Sequence, residues 1–111
     1  MDLLSLPVDI REALASVIKN VAETVKVSKI YLFGSYFNGT NTNESDVDIA
    51  FFIDDNESLL EAHRSIIKIT SRYPIDIQPQ IFYECELIDS SGIVGEILEN
   101  GGEIFFRQSM E

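Results

Sequence analysis

At 111 residues and 45% hydrophobic content, the chain is sized for one compact domain, 1–111, with enough apolar material for a core. Nineteen acidic against eight basic residues give a formal net charge of -11, which repels a phosphate backbone and argues against DNA or RNA as partner. Cys85 is the only cysteine, so an internal disulfide and a thiolate metal site are excluded, and a reducing, cytoplasmic setting fits best. The N-terminus opens with an acid, and no apolar run reaches the roughly 18 residues of a membrane span, so neither secretion nor insertion is expected.

From Val8 to Val27 the apolar positions Ile10, Leu14, Val17, Ile18, Val21 and Val25 keep helical spacing, which predicts an amphipathic helix with Pro7 at its start. Lys29 to Phe33 is short, β-branched and aromatic and stops at Gly34, which predicts a buried strand followed by a tight turn. A polar loop, 38–45, follows. Asp46 to Ile53 predicts a second strand, apolar on both faces beyond Asp48 and therefore central. Ser58 with Glu61 three residues on has the form of a capping box, opening a helix that Tyr73-Pro74 ends.

Ile75 to Phe82 alternates as a third strand, and Pro79 assigns it to an edge or a strand end, because proline cannot donate to a ladder. Leu87 to Glu99 predicts a last helix weakened by Gly92 and Gly95 and capped by Gly101, and Glu103 to Arg107 a closing strand. The fold class is α/β (α+β): a mixed sheet of four strands packed with helices.

Gly34-Ser35 ends the first strand, and Asp46-Val47-Asp48 opens the second after ten residues, YFNGTNTNES. A glycine after a strand lets backbone approach a ligand, and if Ser35 starts a helical turn its N–H groups point at an anion such as a phosphate. Side chains alternate along a strand, so Asp46 and Asp48 share one side about 6.6 Å apart. Two carboxylates that close repel by roughly 2 to 3 kcal/mol at an effective dielectric near 20, which invites a divalent cation. Oxygen donors without a neighbouring histidine or thiol favour Mg²⁺ or Mn²⁺. Asp76 lies between Ile75 and Ile77; if the third strand neighbours the second, Asp76 completes a three-carboxylate cluster suited to metal-assisted nucleotidyl transfer, or acts as general base.

These residues resemble the minimal nucleotidyltransferases of the polymerase β-like superfamily, whose mark is Gly-Ser, ten residues, then Asp-x-Asp. The resemblance extends to Ser45-Asp46, to an acidic residue in the third strand matched by Asp76, and to the closing segment GEILENGGEIFF. It implies a nucleotidyltransferase fold, with Gly34 and Ser35 on the nucleotide and Asp46, Asp48 and Asp76 as metal-binding and catalytic carboxylates. Members of this size look like antitoxins that pair with HEPN-domain toxins, and some transfer AMP from ATP onto a tyrosine of the toxin. The implied cofactors are Mg²⁺ and ATP, and the implied partner is a HEPN-domain protein. Many members carry an arginine before the loop glycine; this chain has Phe37-Asn38-Gly39, which removes a cationic contact to the nucleotide.

Larger relatives carry a further domain for small-molecule acceptors, and this chain is expected to lack one, which favours a protein acceptor. Two rivals stand beside that reading: transfer to a small molecule, and a catalytically silent module that neutralises its partner by occlusion. Among weaker signals, Arg64, Lys68 and Arg72 recur every four residues and suit a solvated face, triphosphate oxygens or an acidic partner. His63 suits helix packing or exposure. Tyr31 and Phe33 suit the core, Tyr36 or Phe37 could stack on a base, and Glu84, Glu86 and Asp89 read as surface charges.

Overall fold

In the computed structural model, which describes residues 6–42, 44–88 and 91–107, the elements run α1 (Val8–Thr24), β1 (Val27–Phe33), α2 (Ser35–Asn38), β2 (Val47–Ile53), α3 (Leu59–Thr70), β3 (Ile77–Tyr83), a 3₁₀ turn (Glu84–Leu87), α4 (Gly92–Asn100) and β4 (Gly102–Phe106). The sheet order is β3-β2-β1-β4. β1 is antiparallel to β2 and to β4, whereas β2 and β3 run parallel with α3 as the crossover. This is the mixed four-stranded sheet expected. No helix among the described residues is long and apolar enough to cross a membrane.

α1 ends three residues earlier than its apolar spacing predicts. Val25 is buried, Lys26 exposed and Val27 buried, so the chain has already changed to the two-residue period of a strand, with Val25 at φ -122°. The helix and strand patterns overlap at Val25, and the sheet claims the residues after it. Pro7 serves as N-cap rather than first helical residue, its carbonyl accepting the Arg11 N–H at 2.9 Å.

The helical face made of Ile10, Leu14, Val17 and Val21 packs with Ile66 and Ile69 of α3 over one side of the sheet, where it meets Ile30, Leu32, Ile49, Phe51 and Ile53. The other side is smaller: α4 sets Val94 and Ile97 on Ala50 and Phe52, with Phe82 stacked on the Phe52 ring at 5.3 Å. Phe51 and Phe52 are both fully buried, so β2 is central and covered on both sides. α3 opens at Ser58, whose hydroxyl accepts the Glu61 N–H at 3.3 Å, but only this half of the expected capping box forms, because the Glu61 carboxylate accepts from the Arg64 guanidinium at 3.5 Å. β3 is an edge strand, which accommodates Pro79 opposite Ile49.

The last third of the chain departs from the predicted single helix at Leu87 to Glu99. Tyr83 leads into the 3₁₀ turn, its N–H held by the Glu86 carboxylate at 2.8 Å, and α4 starts only at Gly92. Gly101 does close α4, its N–H reaching the Ile97 carbonyl at 2.8 Å, but not through a left-handed conformation. A Cβ there would sit 2.7 Å from the Ile97 carbonyl oxygen and 2.9 Å from that of Leu32, so it is the close approach to the end of α4 and to β1 that requires glycine. Glu84 and Glu86 are exposed as expected; Asp89 lies outside the described residues.

Candidate active site

The Gly-Ser turn forms because β1 must end abruptly. Gly34 adopts φ 79°, a left-handed region that side chains disfavour, and Ser35 then begins the short helix α2. The Gly34 carbonyl accepts the N–H groups of Phe37 at 3.1 Å and Asn38 at 3.0 Å. The N–H groups of Ser35 and Tyr36 fall in the first turn, where a helix offers no acceptor, so this corner can receive an anion. Gly39, at φ 78°, ends α2, and Asn38 is exposed where the related pattern has arginine.

Asp48 lies directly across from Phe33 in the antiparallel β1–β2 pair and from Gln78 in the parallel β2–β3 pair. Val47 and Ile49 enter the core under α1 and α3, whereas Ala50 and Phe52 enter the one under α4. By alternation Asp48 belongs to the α4 side, where it is half-buried. Its carboxylate lies against the Gly34 α-carbon, and a Cβ on residue 34 would overlap Asp48 Oδ2. Burial, and then the carboxylate of Asp46, hold the Asp48 carboxyl above its ordinary value.

Asp46 is exposed and precedes β2 by one residue. Just before it, the Ser45 hydroxyl accepts the Thr42 N–H at 2.8 Å, and the Ser45 N–H reaches the Thr42 carbonyl at 3.2 Å. Asp76 is exposed too and lies just before β3 rather than within it. Its backbone carbonyl accepts the Val47 N–H at 2.7 Å, which continues the parallel ladder one step beyond the strand and sets Asp76 beside Asp46 at the strand mouths.

The structure thus seats Asp48 against Gly34, with Asp46 near enough for its charge to act on Asp48. It sets Asp76 along a groove of about 280 Å³ that also has Asp46, Ile67, Tyr73 and Gln78 in its wall. Among the described residues no three His, Cys, Asp or Glu side chains converge closely enough to hold a metal ion, so Asp76 does not join the other two as a preformed third ligand. Tyr36 and Phe37 both pack against the main core, and Tyr36 also borders a second groove, about 300 Å³, with Ser45 and Asp76.

Nothing in the sequence marked Tyr73 or Gln78 as a site residue. Gln78 becomes a site neighbour only through the parallel register opposite Asp48. Tyr73, read as a helix end, has its hydroxyl 2.6 Å from Ser16 Oγ and accepts from Asn20 Nδ2 at 2.8 Å. It thereby fastens the segment leading to Asp76 onto α1.

A glycine-serine turn seated against a carboxylate pair at the mouth of a mixed sheet defines the nucleotidyltransferase class. The sequence profile described as "Polymerase beta, Nucleotidyltransferase" matches residues 16–109, and the chain belongs to that family. A protein of Methanocaldococcus jannaschii named "Putative protein adenylyltransferase" is 31% identical over 75 residues, 68% of this chain and 70% of that protein. A crystal structure titled as a "putative nucleotidyltransferase from Sulfolobus solfataricus" superposes with a TM-score of 0.66 at 16% identity, covering 89% of this chain and 84% of that one, which shows the shared fold.

Proposed function

We propose that the chain is a Mg²⁺-dependent adenylyltransferase that moves AMP from ATP onto a tyrosine hydroxyl of a partner protein, a HEPN-domain toxin, and so acts as its antitoxin. The observation that carries the reading is the Asp48 carboxylate lying against the backbone of the Gly34-Ser35 turn. A phosphate received by that turn lies beside the carboxylate pair. The protein adenylyltransferase name of the M. jannaschii relative supports AMP as the group moved and protein as the acceptor.

The donor set fits the cation. Asp46 and Asp48 supply oxygen ligands only, and burial and then the neighbouring Asp46 hold the Asp48 carboxyl above its ordinary value, a penalty that a bound cation relieves. Mg²⁺ is ordinarily held by one or two carboxylates together with substrate phosphates, so two aspartates suffice. When bound, it supplies Lewis-acid charge for the phosphates. The chain's own residues do the remainder. Gly34 and Ser35 orient the triphosphate, and Asp76 takes the acceptor proton as the new oxygen bond to the α-phosphorus forms and the bond to pyrophosphate breaks. The acidic protein, with net charge -11, needs that cation to receive a nucleotide at all.

The test is to incubate the chain with Mg²⁺, ATP and a HEPN-domain protein encoded beside it, then to weigh the intact partner. An added AMP mass, absent with Asp46→Asn or Asp48→Asn, is the expected result. A stable complex with no added mass overturns the catalytic reading in favour of occlusion, the alternative that Asn38 in place of the loop arginine favours. Transfer to a small molecule and not to protein would keep the chemistry and reject the partner.

A further inference from the structure

The eight basic residues of this acidic chain are unevenly spread. Three of them, Arg64, Lys68 and Arg72, fall within residues 58–72, against Glu61 as the one acid there. Leu60, Arg64, Ile67 and Lys68 recur at helical spacing on the solvent side of α3 and are all exposed, Leu60 at 59% and Ile67 at 40%. The core side of the same helix is occupied by Ala62, Ile66 and Ile69. α3 therefore has two apolar faces, and only one is used by the fold.

The unused face leads somewhere. Ile67 forms one wall of the groove that ends on Asp46 and Asp76, so the apolar positions of α3 run from Leu60 into the carboxylates of the site. A phenol suits that path, since its ring is apolar and its tip polar. The positive charge of Lys68, and of Arg64, whose guanidinium lies 3.5 Å from the exposed Glu61 carboxylate and can exchange that partner for another, selects among segments that could bring it.

We infer that the exposed face of α3 is the docking surface for the acceptor protein, taking a segment in which a tyrosine is preceded by an apolar residue and flanked by carboxylates. The apolar residue covers Leu60 and Ile67, the carboxylates meet Arg64 and Lys68, and the tyrosine enters the groove with its hydroxyl toward Asp46 and Asp76. This deepens the proposed function, on which its choice of a tyrosine acceptor rests, while the docking itself is measurable without catalysis.

The test uses the whole chain, isotopically labelled, titrated with three synthetic peptides: a leucine-tyrosine peptide flanked by glutamates, the same peptide flanked by lysines, and the glutamate peptide with phenylalanine for tyrosine. Backbone amide shifts are followed without nucleotide. The glutamate peptide is expected to move the amides from Leu60 to Ser71 and to bind roughly tenfold tighter than the lysine peptide, as two exposed charge pairs allow. Arg64→Glu with Lys68→Glu is expected to reverse that order. Leu60→Ser and Ile67→Ser, both at exposed positions that spare the core, should weaken both peptides.

Shifts that avoid α3, or binding indifferent to peptide charge and to these variants, overturn the docking surface. Retained dispersion of the amide spectrum shows in each case that the variant is folded. ATP and Mg²⁺ are then added. Peptide binding on α3 without AMP transfer rejects the enzymatic reading and leaves the surface standing. Transfer that ignores every α3 variant does the opposite.

Discussion

The α-carbon of Gly34 faces the carboxylate of Asp48 across the β1–β2 pair, with room for a hydrogen but not for a methyl group. The close approach joins the phosphate corner to the carboxylate of Asp48, and a second positive-φ glycine nearby, Gly39, lacks such a neighbour. Gly39 has φ 78° against 79° at Gly34, yet a Cβ there meets nothing within 4 Å.

Gly39→Ala is therefore expected to cost only the left-handed conformation, about 1 to 2 kcal/mol, and to leave nucleotide transfer largely intact. Gly34→Ala faces a costlier conformation, φ 79° with ψ -157°, which is essentially reserved for glycine, and also displaces Asp48, so transfer should fall by orders of magnitude and stability by more than in Gly39→Ala. Thermal unfolding and AMP transfer, measured on both variants, separate the two contributions. Equal loss of activity in the two would show that the contact with Asp48 does not matter.

Asp48 should trade stability for function. Its carboxyl is held above the ordinary value by burial and then by Asp46, so the folded state binds that proton more tightly than the unfolded chain does. Stability from this group therefore declines as pH rises from the unfolded value through the folded one. Asp48→Asn is expected to raise the melting temperature at neutral pH and to abolish transfer. Mg²⁺ should reverse the ranking, because a ligand at tenfold its dissociation constant adds about 1.4 kcal/mol to the state that binds it. Thermal melts with and without Mg²⁺ provide the check, and a variant less stable than the parent without metal would contradict the account.

Asp54 behaves in the opposite sense. The Asn56 N–H donates to its carboxylate at 2.9 Å, and Lys26 lies 3.6 Å away, and together they hold its pKa below the ordinary value. The stability this confers is present at neutral pH and is lost as the pH falls below the ordinary carboxylate value toward the depressed folded one. Asp54→Ala should therefore melt lower than the parent at neutral pH, with the gap narrowing on acidification through that range. A gap constant with pH would assign the effect to packing instead.

Tyr73→Phe removes a hydroxyl hydrogen-bonded to both Ser16 and Asn20 and keeps the ring. About 1 kcal/mol of stability is expected to go with each bond lost at most, and less where water substitutes. Since Tyr73 tethers the Tyr73–Asp76 segment, transfer should lose more in kcat than in the KM for ATP. A change confined to the KM for ATP would mean that the tether serves the nucleotide and not Asp76.

Most of the scaffold and the core of the site were readable along the chain, because they depend on short-range spacing. The Ser58 cap, the apolar face of α1 and the central character of β2 follow from residues within a few positions of one another, and the approach of Asp48 to Gly34 follows from two strands joined with ten residues between Ser35 and Asp46. Boundaries were less legible where two periods overlap, as at Val25, where a helical position is also the first buried position of an extended run. The 3₁₀ turn at Glu84 to Leu87 rests on the Glu86 carboxylate folding back to the Tyr83 N–H, a contact that the pattern of apolar residues does not encode.

The sequence by itself therefore determined that Asp48 opposes the Gly-Ser turn, since ten intervening residues and strand alternation leave little freedom. Tertiary structure alone decided the standing of Asp76. Parallel pairing of β3 with β2 is a contact between segments some thirty positions apart, and its register, Val47 opposite Ile77, sets Asp76 beside Asp46 but outside any preformed cage of three. It also decided that α3 buries one apolar face and exposes another, because which side of a helix is covered depends on where its neighbours lie and not on the helix itself.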